Sequence, residues 1–102
     1  MAERQADRLR IVWLPVAERN LNDQLAYIDE RNARAGADMA GMVATAVGHL
    51  ADFPQIGRSG RIDGTREIVV TGTPYVIAYL VEPDTVVILR VLHSSQRWPA
   101  HI

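Results

Sequence analysis

The chain has 102 residues, of which 48% are hydrophobic and 23% are charged, and its formal net charge at pH 7 is −1. This length and composition predict a single domain over residues 1–102 with one modest core, preceded by a flexible N-terminus at residues 1–7. They exclude a disordered or membrane-spanning chain, and the near-zero charge argues against a domain whose main task is to bind RNA or DNA.

The residue types that are missing narrow the chemistry further. There are no cysteines, so disulfides and thiolate metal sites are excluded, and all 11 basic residues are arginine. Arginine suits carboxylates, phosphates and aromatic stacking, although codon usage alone can produce the same bias. The charged N-terminus contains no apolar run typical of a signal peptide, and we therefore expect a cytoplasmic protein.

The first half of the chain carries one strand pattern followed by two helix patterns. Residues 8–14 alternate between apolar and other side chains, which predicts a strand, and Pro15 favours a helix that begins there and runs to Asn32. Residues 32–36 interrupt the pattern before a second helix that ends near Pro54, which predicts a helical hairpin. Gly41 and Gly48 weaken that second helix, and we expect them either to admit a close backbone neighbour or simply to lower its stability.

The second half is rich in strands. Residues 55–64 contain three glycines and read as an exposed loop, whereas residues 66–71, 75–81 and 85–92 read as strands joined by short turns. The last of these is apolar on both faces except for Arg90, which favours a central position in the sheet. The order β-α-α-β-β-β predicts an α+β fold, with a helical hairpin packed on a mostly antiparallel sheet of about four strands.

Two groups of side chains could carry a function. His93 could act with Arg66, Arg90 and Glu67 as a metal-free ribonuclease, since such a site needs an acid or base and cations for the phosphate. The alternative is that His93 satisfies local hydrogen bonds and that Arg66 and Glu67 form ordinary surface pairs. The basic loop with Arg58 and Arg61 could bind an anionic partner, which need not be a nucleic acid, or could simply be solvated.

No pattern implies a cofactor or a metal. The chain lacks a glycine-rich phosphate loop and a nucleophile elbow, and its three histidines, His49, His93 and His101, are too scattered to form a recognisable metal site. We therefore expect neither a cofactor nor a catalytic metal.

Several short segments, in this order and spacing, resemble the ParE/RelE superfamily of type II toxins, and the resemblance covers residues 11–99. The segments are Trp13-Leu14-Pro15 with Ala17, Leu21, Tyr27-Ile28, Phe53-Pro54, Gly57-Arg58, Thr65 to Val70, Tyr75 to Tyr79, Ile88 to His93, and Gln96-Arg97-Trp98. The resemblance implies a toxin that a cognate ParD-like antitoxin neutralises in a hetero-oligomeric complex. It also implies an antitoxin whose C-terminal segment wraps the toxin as a helix and an extended stretch.

The superfamily divides by target. The resemblance implies either inhibition of DNA gyrase by binding, as in the ParE-like branch, or cleavage of messenger RNA on the ribosome, as in the RelE-like branch. The absence of lysine, the net charge of −1 and the His-x-x-Gln-Arg-Trp ending favour the ParE-like branch, with no catalytic residue. A non-toxic co-repressor that only binds its antitoxin is a third alternative. The residues expected to bind target or antitoxin are Arg58, Arg61, Arg66, Arg90, His93, Arg97 and Trp98.

Overall fold

The computed structural model describes residues 8–99 and packs two helices against a five-stranded sheet. The predicted α+β class, with a helical hairpin on a mostly antiparallel sheet, is confirmed. Residues 1–7, for which we predicted a flexible N-terminus, lie outside the described residues, as do residues 100–102. Within the described part, no helix is long and apolar enough to cross a membrane.

The sheet mixes one parallel pair with three antiparallel pairs. Its strand order is β1-β5-β4-β3-β2, and only β1 and β5 run parallel. The elements are β1 (Arg10–Trp13), α1 (Pro15–Arg31), α2 (Ala33–Asp52), β2 (Arg58–Ser59), β3 (Arg66–Val69), β4 (Tyr75–Val81) and β5 (Thr85–His93). The expected sheet of about four strands gains one, because the loop predicted at residues 55–64 contains β2. Two residues are too few for alternation to be visible in a sequence.

The two helices follow each other almost without a linker. Only Asn32 separates them, and its side chain accepts a hydrogen bond of 3.1 Å from the N–H of Ala35, which caps α2. The prediction of a break over residues 32–36 was therefore too long. A Cβ on Gly41 or Gly48 would meet nothing within 4 Å, so these glycines do not admit a close backbone neighbour and only weaken α2.

The main core lies between the helices and the sheet. Its largest fully buried side chains are Tyr79, Leu50, Ile77 and Ile88, which come from α2, β4 and β5. Strand β5 lies between β1 and β4 and is buried on both faces, as its apolar sequence predicted, while Arg90 is half-buried. Burial on both faces matters for function, because polar residues on the second face of the sheet are also partly shielded from water.

Candidate functional site

One row of side chains crosses the sheet on the face away from the helices. Arg58 on β2 pairs with Glu67 on β3, Glu67 pairs with Ala78 on β4, and Ala78 pairs with Arg90 on β5. The residues on either side of Ala78 belong to the core beneath the helices, so alternation places this row on the opposite face. A bulge next to Ala78 shifts the register and brings Arg90 into the row.

Glu67 is the centre of this row. Its side chain is only 2% exposed, yet its carboxylate accepts hydrogen bonds from two arginines. Arg58 Nη2 donates to Oε1 over 2.9 Å, while the backbone N–H and Nε of Arg61 donate to Oε2 over 2.8 and 3.3 Å. A buried carboxylate requires this kind of compensation, because removing a charge from water is costly unless it is paired and hydrogen-bonded.

The loop between β2 and β3 is folded to deliver these donors. The N–H of Gly60 donates to the carbonyl of Thr65 over 2.7 Å, which closes the loop, and the Thr65 hydroxyl donates to the carbonyl of Ile62 over 2.6 Å. Arg61 lies inside this closed loop, so its backbone N–H is held at the Glu67 carboxylate. The exposed loop predicted at residues 55–64 therefore contains a hydrogen-bonded hairpin.

The environment of Glu67 keeps it ionised. Burial raises the pKa of the Glu67 carboxyl, but the hydrogen bonds from the Arg61 backbone and from the Arg58 and Arg61 side chains outweigh burial. The net result is a pKa below the ordinary 4.5. A carboxylate that has a lowered pKa and already accepts three hydrogen bonds is poorly suited to act as a general acid or base near neutral pH.

Trp98 in the C-terminal segment contacts the same cluster. The guanidinium carbon of Arg61 lies 3.7 Å from the centroid of the Trp98 ring, a cation–π contact. The side chains of Arg58 and Arg61 remain 57% and 46% exposed, so both are accessible to a partner. We call Arg58, Arg61, Glu67, Arg90 and Trp98 the arginine–tryptophan surface.

Arg66 projects to the other face and holds a different part of the chain. It pairs across the sheet with Tyr79, and its Nη1 donates to the carbonyls of Gly57 and Gln55 over 2.7 and 3.4 Å. The Tyr79 hydroxyl accepts from the N–H of Gly57 over 2.9 Å and donates to the carbonyl of Pro54 over 2.8 Å. Burial raises the pKa of the Tyr79 hydroxyl, despite the Gly57 N–H and the Arg66 charge. Gly57 is required here, because a Cβ would overlap the Tyr79 oxygen.

His93 also lies on the helix-bearing face, at the end of β5. Its ring meets that of its cross-strand partner Tyr75 edge to face, with centroids 5.3 Å apart. The backbone N–H of Ser95 donates to His93 Nδ1 over 3.1 Å, and the Ser95 hydroxyl lies 2.8 Å from the same nitrogen. This geometry makes Nδ1 an acceptor and assigns the ring proton to Nε2. His93 therefore organises the turn that leads into the C-terminal segment.

The structure thus divides the residues singled out in the sequence. Glu67 meets Arg58 and Arg61, and through Arg61 it meets Trp98, with Arg90 in the same row. Arg66 and His93 project from the opposite face. The cross-strand partner of His93 lies three residues from that of Arg90 along β4, which corresponds to about 10 Å. Arg97 is exposed beside Trp98.

A second candidate site lies between α2 and β3, where the sequence indicated nothing. This α2–β3 cleft has a volume of about 760 Å³. Three of the large hydrophobic residues that the fold leaves exposed, Met42, Ile56 and Val69, lie along it. Its lining residues are Ala37, Asp38, Gly41, Met42, Thr45, Ala46, His49, Ile56, Ile68, Val69 and Thr71. Exposed apolar side chains gathered in one concave place are typical of a binding surface.

The floor of this cleft includes an open strand edge. Strand β2 pairs only with Arg66 and Glu67, and the described residues provide no neighbour for the rest of β3 on that side. The N–H of Val70 donates to Tyr75 on β4 over 2.9 Å, so alternation directs the backbone groups of Val69, the last residue of β3, towards the open edge. The edge is open because β2 is only two residues long. The sequence did not indicate this edge, because a strand of two residues shows no alternation.

The described residues provide no metal site. Residues 8–99 contain no group of three or more histidine, cysteine, aspartate or glutamate side chains arranged to hold a metal ion. His49 lies in the α2–β3 cleft and His93 at the end of β5, whereas His101 lies outside the described residues.

Curated relatives of this chain are toxins by name. It is 44% identical over 92 residues to "Putative toxin Y4kP" of Sinorhizobium fredii, covering 90% of this chain and 95% of that protein. It is 34% identical over 87 residues to toxin RelE2 of Caulobacter vibrioides, covering 85% and 97% of the two chains.

Solved structures share the fold. A chain of the chromosomal ParDE toxin–antitoxin system from P. aeruginosa superposes with a TM-score of 0.76 at 16% identity, covering 85% of this chain and 97% of that one. A chain of the RelBE2 toxin–antitoxin complex from Mycobacterium tuberculosis superposes with a TM-score of 0.59 at 28% identity, covering 84% and 98%. The family model described as the ParE toxin of the type II toxin–antitoxin system parDE matches residues 11–98. The chain therefore belongs to the ParE toxin family of type II toxin–antitoxin systems.

Proposed function

We propose that this toxin inhibits DNA gyrase by binding, and that the arginine–tryptophan surface contacts the target. The ParE-like branch, which this sequence resembles, inhibits DNA gyrase. The family model that matches residues 11–98 supports this branch. We further propose that residues 1–102 act as one domain in the cytoplasm, where the target resides.

The observation that carries this proposal is the separation of the residues that a nuclease would need. A metal-free ribonuclease needs its acid, base and cations around one phosphate. Glu67 and Arg90 project from one face of the sheet, whereas Arg66 and His93 project from the other. Glu67 is also buried and bound by two arginines. This arrangement favours binding over catalysis.

The charges on the arginine–tryptophan surface support a protein target. Glu67 offsets part of the positive charge of Arg58 and Arg61, so the surface presents half-exposed guanidinium groups beside an aromatic ring rather than a strongly basic patch. Arginine and tryptophan are enriched at the centres of protein interfaces. A chain with net charge −1 has little long-range attraction for ribosomal RNA.

A supercoiling assay with purified toxin and bacterial DNA gyrase tests this proposal. We expect the wild-type chain to inhibit supercoiling and Arg58→Ala to raise the half-inhibitory concentration about tenfold. The matched control is Arg34→Ala, an exposed arginine in the first turn of α2, which should leave inhibition unchanged. Transcript cleavage by the wild type that is lost in His93→Ala would instead support the nuclease alternative. A lack of any growth defect on expression would support the co-repressor alternative.

We also propose that a ParD-like antitoxin binds in the α2–β3 cleft and adds a strand to the open edge of β3. Both the P. aeruginosa and the M. tuberculosis neighbours come from toxin–antitoxin systems, which supports a partner of this class. The outward-directed backbone groups of Val69 can pair with an extended segment that lies along the open edge of β3.

The dimensions and chemistry of the cleft fit such a segment. Asp38 and His49 lie eleven residues apart on α2, which corresponds to about 16 Å along the helix axis. An extended chain of about five residues spans the same length. Because its side chains alternate, the segment would direct apolar residues at Met42 and Ile56 and polar residues towards solvent.

A substitution at Gly41 tests the cleft without disturbing the fold. Nothing lies within 4 Å of a Cβ at Gly41, so Gly41→Arg should fold and fill the cleft. We expect its affinity for the antitoxin encoded beside it to fall at least about tenfold by calorimetry. Gly48→Arg is the matched control, since Gly48 is equally open but lies away from this cleft. Equal affinities for the two variants would contradict this proposal.

A further inference from the structure

We propose that Glu67 is a positioning residue for the target-binding surface, because it holds Arg61 against Trp98 and Arg58 at the edge of the same cluster. This inference rests on the proposed function of the arginine–tryptophan surface and goes beyond it. It assigns a role to a buried acidic residue that touches no target itself.

The side chain of Glu67 is held in one position. It lies on β3 between β2 and β4, and its side chain is 2% exposed. Each of its oxygens is bound from the β2–β3 hairpin, Oε1 by Arg58 and Oε2 by both the backbone and the side chain of Arg61. The hydrogen bond from the Arg61 backbone N–H fixes the position of the Arg61 main chain. The bond from Nε fixes the direction of the Arg61 side chain. A charge-assisted bond at both points restricts Arg61 more than one surface ion pair would.

Arg61 connects Glu67 to Trp98. Its Nε donates to Glu67 while its guanidinium carbon lies 3.7 Å from the centre of the Trp98 ring. Trp98 Nε1 is buried and has no hydrogen-bond partner among the described residues. The position of the Trp98 ring therefore depends on stacking and packing rather than on a hydrogen bond of its own. Removing the anchor of Arg61 removes the stacking plane that orients this ring.

The exposed groups are the arginines and not the acid. About half of each arginine side chain is accessible, and within residues 8–99 each guanidinium donates only to Glu67, so its other N–H groups can donate to a partner. Preorganised side chains also bind with a smaller entropy loss than freely rotating ones.

Glu67→Gln tests this inference in the full chain. The amide keeps the shape of Glu67 but loses the charge and one acceptor oxygen. Two readouts are needed, the indole N–H signal of Trp98 in a ¹⁵N NMR spectrum, assigned with Trp98→Phe, and the half-inhibitory concentration for purified gyrase, corrected for the folded fraction. We expect the Trp98 signal to shift or broaden while that of Trp13 stays in place, and inhibition to weaken about tenfold.

Glu67→Asp, which keeps the carboxylate, should reverse part of both effects. Glu82→Gln, an exposed acid at the β4–β5 turn, is the control and should change neither.

Arg61→Lys provides a second variant that leaves Glu67 paired with Arg58. Lysine keeps the charge but lacks the planar guanidinium that stacks on Trp98. Its control is Arg31→Lys, because Arg31 stacks on Tyr27 at a similar 3.8 Å away from this surface. We expect Arg61→Lys, but not Arg31→Lys, to move the Trp98 signal and weaken inhibition.

Three outcomes separate this inference from the proposed function. An unmoved Trp98 signal in both Glu67→Gln and Arg61→Lys overturns the positioning role, whatever happens to inhibition. A moved signal with unchanged inhibition also overturns it, because the positioned groups would then not serve the target. If the wild-type chain does not inhibit gyrase, the proposed target is wrong, and the inference that Glu67 positions a target-binding surface falls with it. In that case a moved Trp98 signal establishes only the contact between the hairpin and the C-terminal segment.

Discussion

Two buried polar side chains hold residues 54–67 against the sheet from opposite faces. Glu67 accepts bonds from the hairpin on the face away from the helices, and Tyr79 bonds both to Gly57 and to Pro54 on the helix-bearing face. These residues secure a segment that has little apolar surface of its own. A loop that is hydrogen-bonded from both sides can present arginines in fixed positions, and this accounts for the order of the β2–β3 hairpin.

The lowered pKa of Glu67 predicts a pH-dependent contribution to stability. Since its folded pKa is lower than its unfolded value of about 4.5, ionised Glu67 stabilises the fold above that pH. This contribution is lost as the pH falls below 4.5 towards the folded pKa. We expect Glu67→Gln to lower the free energy of unfolding by about 1–3 kcal/mol at pH 7, and the difference from wild type to shrink as the pH falls below 4.5. Urea denaturation at several pH values measures it, and a pH-independent difference would contradict the prediction.

Removing the Tyr79 hydroxyl should destabilise the chain more than the same change at Tyr75. Tyr79→Phe leaves the N–H of Gly57 and the carbonyl of Pro54 without their partner, which costs about 1–3 kcal/mol. The described residues give the Tyr75 hydroxyl no hydrogen bond, so Tyr75→Phe is the control, with a cost below about 1 kcal/mol. The two midpoints of urea unfolding provide the comparison. Equal costs would show that the Tyr79 hydrogen bonds contribute nothing.

At the scale of elements, α2 contributes one side to the core and another side to the α2–β3 cleft. Met39, Val43, Val47 and Leu50 pack into the core, whereas the side that carries Gly41 lines the α2–β3 cleft. The glycines of α2 differ in their surroundings, although the sequence treats them alike. Gly36 is buried, and a Cβ there would lie 2.9 Å from Asp29 Oδ1 at the junction with α1. A close approach, one of the two alternatives for Gly41 and Gly48, occurs at Gly36 instead, and there the nearest atom belongs to the Asp29 side chain.

Alanine substitutions in α2 should therefore rank by available space. Gly41→Ala should raise the free energy of unfolding by about 0.5–1 kcal/mol, because it adds helix propensity without a clash. Gly48→Ala should behave similarly. Gly36→Ala should give a smaller gain or a loss, since Asp29 must move to admit the methyl group. Thermal unfolding of the three variants tests the order, and a gain at Gly36 that equals the gain at Gly41 would contradict it.

At the scale of the whole molecule, the fold was far more predictable than the surfaces. Periodicity located α1, α2, β4 and β5, because each is long enough for a core-facing repeat to be visible. Strand β2 was missed because it has only two residues. The α2–β3 cleft was missed as well, because an open edge of β3 can be recognised only when the strand order is known. The sequence placed Glu67 beside Arg66 as a candidate for one catalytic site. Adjacent residues in a strand face opposite ways, and only the register revealed that Glu67 belongs with Arg58 and Arg61.

The separation of the two candidate surfaces leads to a prediction about the whole toxin. The arginine–tryptophan surface lies on the face away from the helices, and the α2–β3 cleft lies beside α2, so one substitution in each should affect different activities. We expect Gly41→Arg to weaken antitoxin binding but not gyrase inhibition, and Arg58→Ala to do the reverse. In the double variant each activity should fall by the same free energy as in the corresponding single variant, to within about 0.5 kcal/mol, because the two sites are independent. Calorimetry with the antitoxin and supercoiling assays with gyrase measure the two effects. Loss of both activities from either single variant would mean that one continuous surface serves both partners.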